Sequence, residues 1–135
     1  YSQLPRLYST ELIAFRQRMH LTHVDTLIFP LWTNNHYSAY CYQPTVGLVY
    51  SDSLGLEPPS DVLCVFAWLL EGLGYPIPPC AVHAPIPLQG PASGSCGVAA
   101  TSFIETQINP NAPVWSGGNS ELLRDRFLKK LLAYH

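Results

Sequence analysis

Leu27-Ile28-Phe29-Pro30-Leu31-Trp32-Thr33-Asn34-Asn35-His36-Tyr37-Ser38-Ala39-Tyr40-Cys41-Tyr42-Gln43-Pro44-Thr45-Val46-Gly47-Leu48-Val49-Tyr50-Ser51-Asp52 is the stretch that decides the fold. Leu27 to Trp32 is an apolar, β-prone run. Pro30 inside it predicts an edge strand or a strand end, because proline cannot donate to a sheet. Thr33-Asn34-Asn35 reads as a turn. His36 to Tyr42 reads as an alternating, half-buried strand. Gln43-Pro44-Thr45 turns the chain again, and Val46 to Asp52 is a third strand. Strands joined by such short turns predict an antiparallel meander.

Helical signals flank this sheet. Ser9 to Arg16 predicts a short helical turn capped by Ser9 or Thr10. After the strands, Pro58-Pro59-Ser60 breaks the chain and offers Ser60 as an N-cap. Val62, Leu63, Val65, Phe66, Leu69, Leu70 and Leu73 then recur at helical spacing, with Gly74 placed to end the helix. Pro76, Pro78 and Pro79 mark a loop, and Ala81 to Pro87 is extended because its prolines exclude helix. A run of small turn formers, Gln89 to Ser95, leads into a helix from Cys96 to about Ile108, stopped by Asn109-Pro110. Gly117 to Ser120 precedes a last amphipathic helix. Its Leu122, Leu123, Phe127, Leu131 and Leu132 fall on one side, predicted to face the core. The expected class is α+β, with a small antiparallel sheet packed against helices.

At 135 residues the chain suits one domain with a real core, spanning 1–135. It opens on Tyr1-Ser2-Gln3-Leu4 without methionine, and we expect a segment of a longer protein. Charged residues make up 12% and apolar residues 47%, about half the usual share of charge. Such a chain either buries much of its surface or lacks parts that cover it. The formal net charge is -2 and the longest basic run is Lys129-Lys130. Nucleic acid and anionic membranes are therefore not expected as partners. No apolar stretch approaches the ~20 residues that span a bilayer. Cys41, Cys64, Cys80 and Cys96 lack the dense spacing of a disulfide scaffold, which points to reduced thiols in a nuclear or cytoplasmic setting.

Cys96 carries the chemistry. A thiol at a helix N-terminus sits where the dipole and free N–H groups favour the thiolate, the nucleophilic form. Such a nucleophile needs a base, usually histidine, and a group to hold the imidazole. His36 opens a strand directly after a turn, ordered yet reachable. Asp52 ends the following strand, near the same end of the sheet if the two pair, where it can accept the His36 ring N–H. Gln89 lies shortly before Cys96, and its amide can face a developing oxyanion beside the Cys96 N–H. Two close pairs, His20/His23 and Cys80/His83, invite a zinc reading. The first lacks ligand-loop features, so no metal is expected. Trp32 and Trp115 read as packing residues, and Cys41 and Cys64 as core.

The order His36, Asp52, Gln89, Cys96 resembles the Ulp1-type cysteine proteases, which process SUMO and related ubiquitin-like modifiers. The matching segments are Ile28-Phe29-Pro30-Leu31 with His36-Tyr37-Ser38-Ala39, then Val49 to Leu54, then Gln89 through Cys96-Gly97-Val98. They span about residues 24 to 108. The resemblance implies a papain-like α+β fold with Cys96 as nucleophile, His36 as base, Asp52 as orienter and Gln89 as oxyanion donor. Tyr37 and Gly97 would contact the modifier's tail. Tyr37 stands where the family has Trp, Ser95 where it has Asp, and the Gln89-to-Cys96 loop is one residue longer. The family's N-terminal part has no counterpart before Tyr1.

The function implied is a cysteine peptidase or isopeptidase cleaving after the C-terminal tail of a SUMO-like modifier, from precursors or conjugates, without cofactor. The alternative is a catalytically inactive module of the same shape that binds the modifier. A cysteine acyltransferase is a third reading, but nothing in the chain looks like a CoA phosphate site.

Overall fold

A tight hairpin organises the sheet. Asn34 and Asn35 both hold positive φ, 51° and 56°, a two-residue turn whose twist matches the strands and which asparagine tolerates best after glycine. It joins β1 (Leu27–Thr33) to β2 (His36–Gln43), antiparallel, with Thr33 opposite His36. Thr33 therefore closes a strand and does not belong to the turn. β3 (Gly47–Ser51) pairs antiparallel with β2. The computed structural model describes residues 9–19, 21, 25–90 and 94–134.

The sheet is mixed, where the sequence predicts an antiparallel one. β4 (Ala81–His83) joins β3 in parallel, giving the order β1-β2-β3-β4. The connection is the cause. α2 (Val62–Leu70) lies between β3 and β4, and a crossover of this kind returns the chain to run in the same direction. β1 is an edge, which is why Pro30 is tolerated inside it.

β2 does not alternate as expected. It is buried without interruption from Ser38 to Tyr42, because helices cover both faces. Tyr40 and Tyr42 pack with Phe66, Leu69 and Leu70 of α2. Ala39 and Cys41 pack with Ala100 and Phe103 of α3 (Cys96–Ile108) on the other face. α4 (Ser120–Ala133) lies behind α3, where Leu123 and Trp115 meet Val98 and Ala99. Burial pushes the Cys41 thiol and the Tyr40, Tyr42 and Tyr50 hydroxyls above their ordinary ranges. The chain is thus α+β, with a four-stranded sheet and four helices among the described residues.

One helix expectation holds and two shift. α1 (Thr10–Arg18) is capped by Ser9, and Arg16 ties it to α2 through the Glu71 carbonyl (2.5 Å) and the Trp68 ring (5.5 Å). α2 is entered through Asp61, not Ser60, because the Val62 N–H bonds back to the Pro59 carbonyl (3.1 Å) and draws Ser60 into the entry turn. It stops at Leu70, so Leu73 lies beyond it, between Gly72 and Gly74 at positive φ. The α4 stripe is mostly not a core face. Leu123 is buried, but Leu122, Leu131 and Leu132 are 73%, 58% and 65% exposed. The first half of α4 meets the core, through Leu123 and the partly buried Phe127; on the α3 side, Arg126 (2.9 Å) and Lys130 (2.5 Å) are held by Glu105. No helix among the described residues is long and apolar enough to cross a membrane.

Candidate active site

Three element ends converge on one cavity. β2 begins with His36, β3 ends just before Asp52, and α3 begins with Cys96. The antiparallel register sets Ala39 opposite Ser51, so the start of β2 and the end of β3 lie together. α3 starts at that same end, since a Cβ on Gly97 would touch the Tyr37 ring at 3.4 Å. His36, Asp52, Gln89 and Cys96 all line a cavity of about 460 Å³.

His36 and Asp52 are both nearly buried, and His36 Nε2 lies 2.8 Å from Asp52 Oδ1. The same Oδ1 accepts the Leu54 N–H at 2.8 Å, the local bond by which an aspartate shapes the turn after its own strand. Because Nε2 is engaged, Nδ1 is the His36 nitrogen left to exchange protons. The ring of His83 lies behind, with Nε2 3.1 Å from the Asp52 carbonyl oxygen and Nδ1 2.7 Å from that of Ala84. It meets the Tyr50 ring edge-on at 4.7 Å. Asp52 is thus held by its carboxylate on one side and its carbonyl on the other.

Gln89 is drawn to Ser53, the residue after Asp52. Its backbone N–H donates to the Ser53 carbonyl (2.7 Å), and its side-chain Oε1 accepts from Ser53 Oγ (2.5 Å). Cys96 occupies the first position of α3, after Ser95. Ser95 does not cap the helix with its side chain; it is buried, and its Oγ accepts from Ser120 Oγ (2.9 Å), which in turn accepts the Trp115 indole N–H (3.2 Å). These hydrogen bonds couple the residue before Cys96 to the first turn of α4.

No family model, curated protein or solved structure matches the chain.

Tyr37 and Gly97 pack on each other but do not line the cavity. Tyr37 is 40% exposed and its ring lies 4.5 Å from that of Trp32. Trp32 departs from the packing role expected of it. It is 53% exposed and borders a separate apolar cleft with Phe29 and Val65. Trp115 is buried. Cys41 is core, Cys64 only partly buried. His20 and His23 of the zinc reading lie outside the described residues; Cys80 is exposed, and no group of metal-ligating side chains occurs among the described residues. The sequence gives no distinctive signal for Ser53, His83 or Ser120. Their importance comes from neighbours distant in the chain.

Proposed function

We propose that this chain is a cysteine peptidase or isopeptidase domain of papain-like fold, acting after the C-terminal tail of a ubiquitin-like, SUMO-like modifier. The observation that carries the reading is the 2.8 Å contact of His36 Nε2 with Asp52 Oδ1, in the cavity that Cys96 and Gln89 also line. The Cys96 sulfur attacks the scissile carbonyl carbon. His36 Nδ1 takes the thiol proton and passes it to the departing amine, while Asp52 stabilises the imidazolium. The oxyanion is met by the Cys96 backbone N–H and the Gln89 side-chain amide. Water, deprotonated by the same imidazole, then releases the acyl group. The modifier as substrate is supported by the resemblance of the three sequence segments.

The experiment is hydrolysis of SUMO and ubiquitin carrying a C-terminal fluorogenic amide. Wild-type protein turns over the SUMO substrate, and Cys96→Ala abolishes turnover while keeping the substrate bound. A Cys96→Ala variant with wild-type rate overturns the mechanism. One observation favours a second reading, a binding module without chemistry: buried Ser95 stands where the resembled family has Asp. Such a module would bind SUMO yet form no adduct with a SUMO probe bearing a C-terminal electrophile.

A further inference from the structure

An oxyanion donor has to present hydrogen, and a glutamine amide has two ends of nearly equal shape and opposite polarity. With Nε2 towards the thiol, Gln89 stabilises the negative oxygen; turned over, it presents Oε1 and repels it. Something must choose. The choice falls on Ser53, which is buried at 2% exposure. Its Oγ lies 2.5 Å from Gln89 Oε1. In this arrangement the Ser53 hydroxyl donates to the amide oxygen, so Nε2 is the end turned away from Ser53. The Gln89 N–H on the Ser53 carbonyl (2.7 Å) fixes the backbone from which the side chain projects.

We infer that Ser53 is a positioning residue for the oxyanion hole: its hydroxyl holds Gln89 Oε1 and so aims Nε2 into the cavity beside Cys96. The inference rests on the cysteine peptidase reading and deepens it. It also ties the two halves of the machinery together. Asp52 orients the base through its side chain, and the next residue, on the same turn, orients the oxyanion donor. The turn at 52–55, closed by the Gly55 N–H on the Asp52 carbonyl (2.9 Å), would set both at once.

The test is a double-mutant cycle on hydrolysis of SUMO C-terminal aminomethylcoumarin amide. Gln89→Ala should lower kcat by about 10²–10³, the usual loss of one oxyanion donor. Ser53→Ala should lower kcat by about tenfold with KM unchanged, because binding of the tail does not use the oxyanion hole. Combined, Ser53→Ala should add nothing to Gln89→Ala, since there is then no amide to aim. Alkylation of Cys96 by iodoacetamide forms no oxyanion and should proceed at the wild-type rate in all three variants. Wild-type kcat in Ser53→Ala, or a tenfold further loss in the double variant, overturns the inference and leaves the peptidase reading standing. A wild-type protein that neither hydrolyses the substrate nor alkylates preferentially at Cys96 overturns the peptidase reading and the inference with it.

Discussion

Under the proposed mechanism, asparagine and alanine at position 52 separate two duties of Asp52. Oδ1 accepts from His36 Nε2 and from the Leu54 N–H, each at 2.8 Å. In Asp52→Asn the amide oxygen has to stay there, because an NH₂ group would face two donors. The carbonyl oxygen therefore still fixes the ring with its proton on Nε2, and only the charge is lost. A hydrogen bond to a charged group contributes about 1.5–3 kcal/mol, and a neutral one about 0.5–1.5 kcal/mol. The difference of about 1–1.5 kcal/mol corresponds to roughly a tenfold fall in kcat. Asp52→Ala removes the acceptor. The ring is then free to turn, and general acid–base catalysis, about 10²–10⁴ in rate, is lost. The orphaned Leu54 N–H costs a further ~1–3 kcal/mol of stability. Steady-state hydrolysis of the SUMO fluorogenic substrate, with urea unfolding of each variant, reads both numbers. An Asn variant as inactive as the Ala variant refutes the claim that Leu54 anchors the acceptor. Wild-type kcat in Asp52→Ala removes Asp52 from the machinery.

Three further outcomes concern the frame that holds the site. Asn35 sits at φ 56°, so Asn35→Val should lose about 1–2 kcal/mol while Asn35→Gly loses nothing in urea unfolding; equal stability of the two variants contradicts the turn assignment. Phe66 is fully buried and stacks on Phe29 at 5.1 Å between ring centres. Phe66→Ala should cost about 3–5 kcal/mol by the same measurement, and a loss under about 1 kcal/mol would place it outside the core. Burial holds the Cys41 thiol and the Tyr40, Tyr42 and Tyr50 hydroxyls above their ordinary values. The native state then keeps protons that the unfolded chain releases. Their contribution to stability is complete below the unfolded thiol and phenol ranges, and is lost as pH rises through the folded ones. Urea midpoints should fall above about pH 9; a midpoint that rises there contradicts the sign.

The hairpin and α3 are legible in the sequence because their signals are local: Asn34-Asn35 between apolar runs, and small residues before a helix that ends at Asn109-Pro110. β4 is legible only as extended chain, since three residues after a proline loop carry no mark of which neighbour they join or in which direction. Alternation is hidden in β2 because a period of two is visible only when one face is wet, and at Ala39-Tyr40-Cys41-Tyr42 neither face is. α4 misleads in the opposite way. Its leucines have helical spacing, but spacing reports only that apolar residues recur, not that something covers them. The site divides along the same line. His36, Asp52, Gln89 and Cys96, which line one cavity, can be picked out because the proposed nucleophilic chemistry calls for those residue types, and all but Gln89 lie at or beside the end of an element. Ser53, His83 and the Ser95–Ser120 pair are not readable, because positioning asks only for a hydrogen-bonding group at a given point, and many hydroxyls or rings can supply one. A positioning residue therefore becomes visible only once the strands are paired: Ser53 meets Gln89 across 36 positions of chain, and His83 reaches Asp52 across 31, through a crossover that no local pattern announces.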